Sequence, residues 1–197
     1  MEWERLLALA AFAFASTWTP GPNNIMLANS GATFGYRASQ PHAFGVALGF
    51  PIMLFLIALG LGELFKASPV FRETLKWAGA ALLLYLAWRI ATAGRTKTAG
   101  GGRPFTFVEA AGFQWINPKA WSMAIGTASA FMVGLAPVKE AAICAGVFVL
   151  SGIGSSQTWT IFGVSIRRFL STDARLRTFN VTMGLLVAGC VVFLFLE

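Results

Sequence analysis

Two apolar segments of this chain are each interrupted by a proline-containing polar motif, and these interruptions constrain its fold more than any other feature. The first reads Thr19-Pro20-Gly21-Pro22-Asn23-Asn24 and directly follows the apolar run Leu6 to Trp18. The second reads Gln114-Trp115-Ile116-Asn117-Pro118-Lys119 and lies inside the run from Phe107 to Met132. Proline lacks an amide donor and clashes with the carbonyl one turn back, so each motif breaks or kinks a membrane helix. Lipid cannot satisfy the released backbone groups, so such breaks persist where protein buries them or where they line a wet cavity. Paired breaks at corresponding places in two halves are the sequence signature of a secondary transporter's central site.

The membrane setting follows from composition. Of 197 residues, 56% are hydrophobic and only 12% are charged, and mean hydropathy is +0.68. A soluble domain of this length could not cover so much apolar surface. Six apolar runs long enough to span a bilayer are legible at 6–32 (broken), 42–64, 75–90, 107–132 (broken), 141–162 and 178–196. The third is slightly short and borrows residues from Val70 onward. The expectation is an all-α integral membrane protein of six transmembrane helices, with helices 1 and 4 broken.

The net charge of +7 does not point to nucleic acid, because the basic residues sit in short connections. Connections one, three and five hold Arg37; Arg89, Arg95, Lys97 and Arg103; and Arg167, Arg168, Arg175 and Arg177. The N-terminus and the other two connections hold Arg5; Lys66, Arg72 and Lys76; and Lys139. Nine against five puts the odd connections in the cytoplasm and both termini in the periplasm. Ala13-Phe14-Ala15 looks like a signal-cleavage site, but Glu2 and Glu4 beside the single Arg5 make a poor targeting pattern, so the segment is read as retained.

Pro22 and Pro118 stand 96 positions apart, and the spans around them correspond in order. Residues 1–92 read as a first three-helix repeat, 93–105 as a basic, Gly-rich cytoplasmic linker and 106–197 as a second repeat, all within one transmembrane domain. Three spans per half is odd, so the second half enters from the opposite face, giving an inverted 3+3 repeat. Gly45 and Gly49 form a Gly-x-x-x-Gly patch on the second span that reads as close helix packing rather than a hinge.

Polar groups inside the bilayer carry the functional information. Thr19, Asn23 and Asn24 surround the first break; Gln114, Asn117 and Lys119 surround the second. Ser151, Ser155 and Thr158 share one face of the fifth span at i, i+4, i+7. Lys119 is the sharpest of these, because a membrane-buried ammonium must face a cavity, pair, or lose its charge. Glu109 is ten positions away, too far to pair with it directly. His42 and Glu63 mark the ends of the second span, where a solvated or capping role is expected. The half-helix starting at Pro22 offers free amides and a partial positive charge, suited to a carboxylate. The half-helix ending before the break offers carbonyls, suited to an ammonium. An amino acid carries both groups.

At these residues the chain resembles the lysine-exporter and homoserine/threonine-exporter superfamily of bacterial inner-membrane efflux proteins. The matching residues are Thr19-Pro20-Gly21-Pro22-Asn23-Asn24, Gly35-Tyr36-Arg37 with Gly45 and Gly49, and Phe113-Gln114-Trp115-Ile116-Asn117-Pro118-Lys119-Ala120; Gly79, Leu83 and Tyr85 to Trp88 are similar too. The resemblance covers essentially the whole chain. It implies a small exporter of amino acids or related metabolites, driven by the proton gradient, in the bacterial inner membrane, and assembly as a homodimer. Many members carry an acid after Thr-Pro-Gly-Pro; this chain has Asn23 and Asn24, which removes a carboxylate that could bind a cation or proton. The Asn-Asn form is similar to the branch containing cysteine and O-acetylserine exporters, and favours a small neutral amino acid.

The expected solute pathway is thus lined by Thr19, Pro20, Gly21, Pro22, Asn23, Asn24, Gln114, Asn117, Pro118, Lys119, Ser155 and Thr158, with alternating access between the halves. No enzyme is expected: there are no catalytic residues, no cofactor and no metal site, since the lone His42 has no nucleophile motif or ligand cluster beside it. Two rival readings stand. One is a membrane thiol oxidoreductase working through Cys144 and Cys190, although neither has a Cys-x-x-Cys partner or a flanking cation. The other is a partner subunit with no transport of its own, whose breaks are packing kinks.

Overall fold

The three prolines of the two motifs dictate the local backbone. A residue that precedes proline is pushed out of the helical region, and Thr19, Gly21 and Asn117 are all extended. In the computed structural model, which describes residues 2–62, 67–93 and 103–196, helix α1 (Trp3–Trp18) therefore stops at Thr19. Helix α2 (Pro22–Phe34) restarts with Pro22 in its first turn, where a missing amide costs nothing. Likewise α5 (Phe107–Phe113) runs into one 3₁₀ turn, Gln114–Ile116, and α6 (Pro118–Phe131) restarts at Pro118.

The remaining helices are α3 (Gln40–Leu56), which continues into a π-helical turn at Ile57–Leu61, α4 (Pro69–Ala91), α7 (Pro137–Arg167) and α8 (Asp173–Leu196). Gly60 in the π turn has φ 130°, a conformation open to glycine and strained for other residues. The described residues are otherwise turns and short connections. Among the described residues, three helical segments are long and apolar enough to cross a membrane alone: Gln40–Leu61, Pro137–Arg167 and Asp173–Val192. Helix α4 has 23 residues, about 34 Å at 1.5 Å per residue, but Arg72, Glu73 and Lys76 lie in its first turns.

Packing is set by small residues. Helix α2 lies along α7, where a β-carbon at Gly31 or Gly163 would collide with the carbonyl oxygens of Thr160 and Ala28 respectively. Helix α3 packs on both α7 and α5; a β-carbon on Gly49 would stand 2.5 Å from the Ala111 Cα. The Gly-x-x-x-Gly patch is thus a packing surface against α5. Helix α4 pairs with α8. By contrast, α6 touches α3 only lightly.

One apolar cluster joins Leu9, Ala13, Phe50, Met53, Phe148 and Trp121, and a second joins Ile25, Leu83, Leu86, Phe113 and Val187. Cys144 sits fully buried in the first and Cys190 packs against the second; both are free thiols. Glu63 and linker residues 94–102 lie outside the described residues. Just beyond that linker, Arg103 forms a bidentate pair with Glu109, both contacts 2.6 Å. Glu109 also completes a capping box with Thr106 at the start of α5.

Candidate functional site

Ending α1 at Trp18 leaves its last carbonyls without amides from a following turn, and side chains from three other elements serve them. Asn24 Nδ2 donates to the Thr17 carbonyl at 2.8 Å and to the Thr19 carbonyl at 3.0 Å. The Ser155 hydroxyl of α7 donates to the Thr17 carbonyl at 2.7 Å. Lys119 Nζ, from the first turn of α6, donates to the Thr19 carbonyl at 2.8 Å. The second motif thus supplies a cation to the first.

The two breaks are also joined through their amide side chains. Asn23 Nδ2 donates to Gln114 Oε1 at 2.9 Å, and Gln114 Nε2 donates back to Asn23 Oδ1 at 3.2 Å. Gln114 is fully buried and spends its other N–H on the Ala110 carbonyl. Such a reciprocal pair fixes both amide orientations.

The helix starts differ. At α6, Asn117 Oδ1 accepts from the Lys119 backbone amide, a side-chain N-cap. At α2 the N-cap residue is Gly21, which has no side chain to give, and no side-chain cap bond is made. The first amides of α2 therefore lie bare at the positive end of the helix. Gly21 also makes room for the cation: a β-carbon there would stand 3.0 Å from Lys119 Cδ and 3.1 Å from Nζ.

These groups line one cavity of about 50 Å³. Its polar wall holds Gly21, Pro22, Asn23, Asn24, Gln114, Asn117, Lys119 and Ser155, and its apolar wall includes Phe50, Met123 and Phe148. Ala47 and Pro51 of α3 complete it. Pro51 has no N–H to return to the Ala47 carbonyl one turn back, so α3 carries a weakened point in its ladder at the cavity wall.

Four expected pathway residues lie off this lining. Thr19 contributes through its carbonyl while the residue itself is exposed, and Pro20 is exposed beside it. Pro118 faces a groove between α4 and α6. Thr158 is exposed on the outer side of α7. Its spacing from Ser151 and Ser155 is right for one face, but the buried positions of this stretch are Ser155, Ser156, Thr160 and Gly163. Ser151 remains engaged, sharing a hydrogen bond with the Thr17 hydroxyl at 2.7 Å.

The solvated or capping role expected of His42 is wrong. The residue is 1% exposed, because α2 and the segment leading into α5 close over the start of α3. Among the described residues no group of three or more potential metal ligands occurs.

The LysE type translocator pattern matches residues 14–197. Cysteine/O-acetylserine efflux proteins of Escherichia coli strain K12, Escherichia coli O9:H4 strain HS and Shigella sonnei strain Ss046 are each 30% identical over 193 residues, 96% of this chain and 97% of theirs. No solved structure matches. A pattern that runs through both interrupted motifs and across the helices that carry the cavity leaves one conclusion: the chain belongs to the LysE type translocator family, as a membrane translocator rather than an enzyme.

Proposed function

We propose that the protein exports a small neutral amino acid or a closely related metabolite across the bacterial inner membrane, by alternating access around the cavity between the two breaks. The observation that carries this reading is the joint lining of one cavity by both motifs, with Lys119 and the uncapped start of α2 on the same wall. Lys119 and the α2 amides bind the solute's carboxylate. The carbonyls of Thr17 and Thr19 turn to its ammonium once Asn24 or Lys119 releases them. Cysteine/O-acetylserine efflux proteins as relatives favour a small, uncharged side chain.

On this reading α1–α2 and α5–α6 each form one interrupted span, which with α3, α4, α7 and α8 makes six. The halves 1–92 and 106–197 form an inverted repeat within one transmembrane domain. Two contacts support it, since exchange of the halves maps α3·α7 and α4·α8 onto themselves. The contrast between the tight α2–α7 seam and the light α6–α3 contact is what one end closed and the other end loose would give. On this reading the closed end is cytoplasmic and both termini are periplasmic, which the excess of basic residues in the odd connections supports. Proton coupling and a homodimer complete the proposal.

The experiment is efflux from proteoliposomes loaded with a labelled amino-acid panel, comparing the intact chain with Asn23→Ala. Saturable efflux of a zwitterionic amino acid, lost with its decarboxylated amine and reduced at least tenfold in the variant, is the expected result. Well-inserted protein that moves nothing in the panel overturns the reading.

A further inference from the structure

A second polar cavity, of about 110 Å³, lies at the end of the bundle that carries the basic connections, where α2, α3, α4 and the approach to α5 meet. His42, Ser30, Thr33, Asn29, Arg89 and Arg103 contribute to its wall. No acidic side chain lines it among the described residues. Much of its chemistry is already tied down: Asn29 donates to Asn180 at 3.3 Å, and Asn180 donates to the Ala93 carbonyl at 2.8 Å. Arg103 holds Glu109.

Two buried atoms on this wall are not tied down. His42 Nδ1 shares a hydrogen bond with the Ser30 hydroxyl at 2.9 Å, but His42 Nε2 has no hydrogen-bond partner among the described residues. Neither has the Thr33 hydroxyl. Buried polar atoms almost always find a partner, so two orphans on one wall call for a ligand. With Ser30 donating to Nδ1, the neutral ring carries its proton on Nε2. Nε2 and the Thr33 hydroxyl are then both donors, and Arg89, whose guanidinium lies 5.9 Å from the Tyr85 ring centroid, contributes a cation to the wall. Donors and positive charge without an acid suit a small carboxylate.

We propose that this cavity is a second solute site, binding a carboxylate through His42, Thr33 and Arg89 before the solute reaches the breaks. That the carboxylate belongs to the exported amino acid rests on the transporter reading. That the cavity takes a carboxylate does not.

His42 is the only histidine of the chain, so one label reports on the site. The full chain, carrying ¹⁵N-histidine and purified with a tag that contains no histidine, is placed in nanodiscs and titrated at fixed pH. The probes are acetate, alanine, ethylamine and inorganic phosphate. Acetate and alanine are expected to move the His42 Nε2 resonance saturably, ethylamine is expected to leave it, and phosphate is expected to act more weakly than acetate. Arg89→Gln should raise the half-saturating acetate concentration about tenfold while leaving the unliganded resonance in place. Asn23→Ala, at the other cavity, should leave the titration unchanged. No movement with either carboxylate, a stronger response to phosphate, or loss of the response in Asn23→Ala overturns the proposal. A response to acetate in a protein that exports no amino acid would instead remove the transporter reading and leave the site standing.

Discussion

Lys119 Nζ donates to the backbone carbonyl of Thr19, 100 residues earlier in the chain, at 2.8 Å. The bond ties a cation in the first turn of α6 to the carbonyl end of α1, and both partners line or adjoin the same cavity. On the proposed function, a solute's carboxylate competes for the ammonium and its own ammonium competes for the carbonyl, so that one solute replaces this contact at both of its ends.

Lys119→Met removes the cation while keeping most of the side-chain volume. The KM for efflux should rise about 10- to 100-fold, the range that a hydrogen bond to a charged group supplies. Gly21→Ala tests the same group from the opposite side, because its β-carbon would stand 3.1 Å from Nζ and push the flexible lysine tip away. The variant should raise KM in the same direction without changing thermal stability. Initial-rate efflux and a melting curve on the same preparation check both.

Asn23 and Gln114 should be coupled in stability, because each is the other's hydrogen-bond partner. Removing either amide leaves the other without this reciprocal partner, Gln114 being fully buried and Asn23 half-buried, at a cost of about 1–3 kcal/mol. The double variant Asn23→Ala, Gln114→Ala should cost less than the sum of the two singles, a coupling of about 1 kcal/mol read from a double-mutant cycle in detergent.

The α2–α7 seam should be the least forgiving helix contact. Gly163→Ala and Gly31→Ala each place a methyl against a carbonyl oxygen of the facing helix. Overpacking of this kind costs about 1–3 kcal/mol, so both variants should melt earlier than Gly126→Ala, where a β-carbon meets open space.

Replacing Cys144 and Cys190 with alanine should leave efflux intact. The two free thiols belong to separate apolar clusters, and Cys144 fills core volume worth about 1 kcal/mol. Efflux that disappears in well-folded double variant would favour the thiol oxidoreductase reading.

The local backbone of the two motifs was legible in the sequence because proline and its preceding residue constrain the backbone wherever they occur. Thr19, Gly21 and Asn117 had to be extended, and the helix starts at Pro22 and Pro118 followed. The demand that a membrane-buried ammonium find a partner brought Lys119 in. Thr158 lies exposed on α7 and off the cavity that Ser155 helps line, a placement that periodicity along one helix does not show. His42 was misjudged because only tertiary closure shows that the start of α3 is covered. The partnership of Asn23 with Gln114 lay equally out of reach, since amides carry no charge to demand a match across 91 positions.

The Asn23–Gln114 bridge has a consequence for energy coupling. Both side chains are neutral, so when the bridge opens or closes it carries no charge through the membrane field. Voltage can neither drive that step nor oppose it. Lys119 differs: an elementary charge crossing the full potential is worth about 2.3 kcal/mol per 100 mV. If the halves rock, the membrane potential acts through the displacement of this one ammonium and the charge of its cargo, and the amide bridge opens at the same cost in an energised cell as in a resting one.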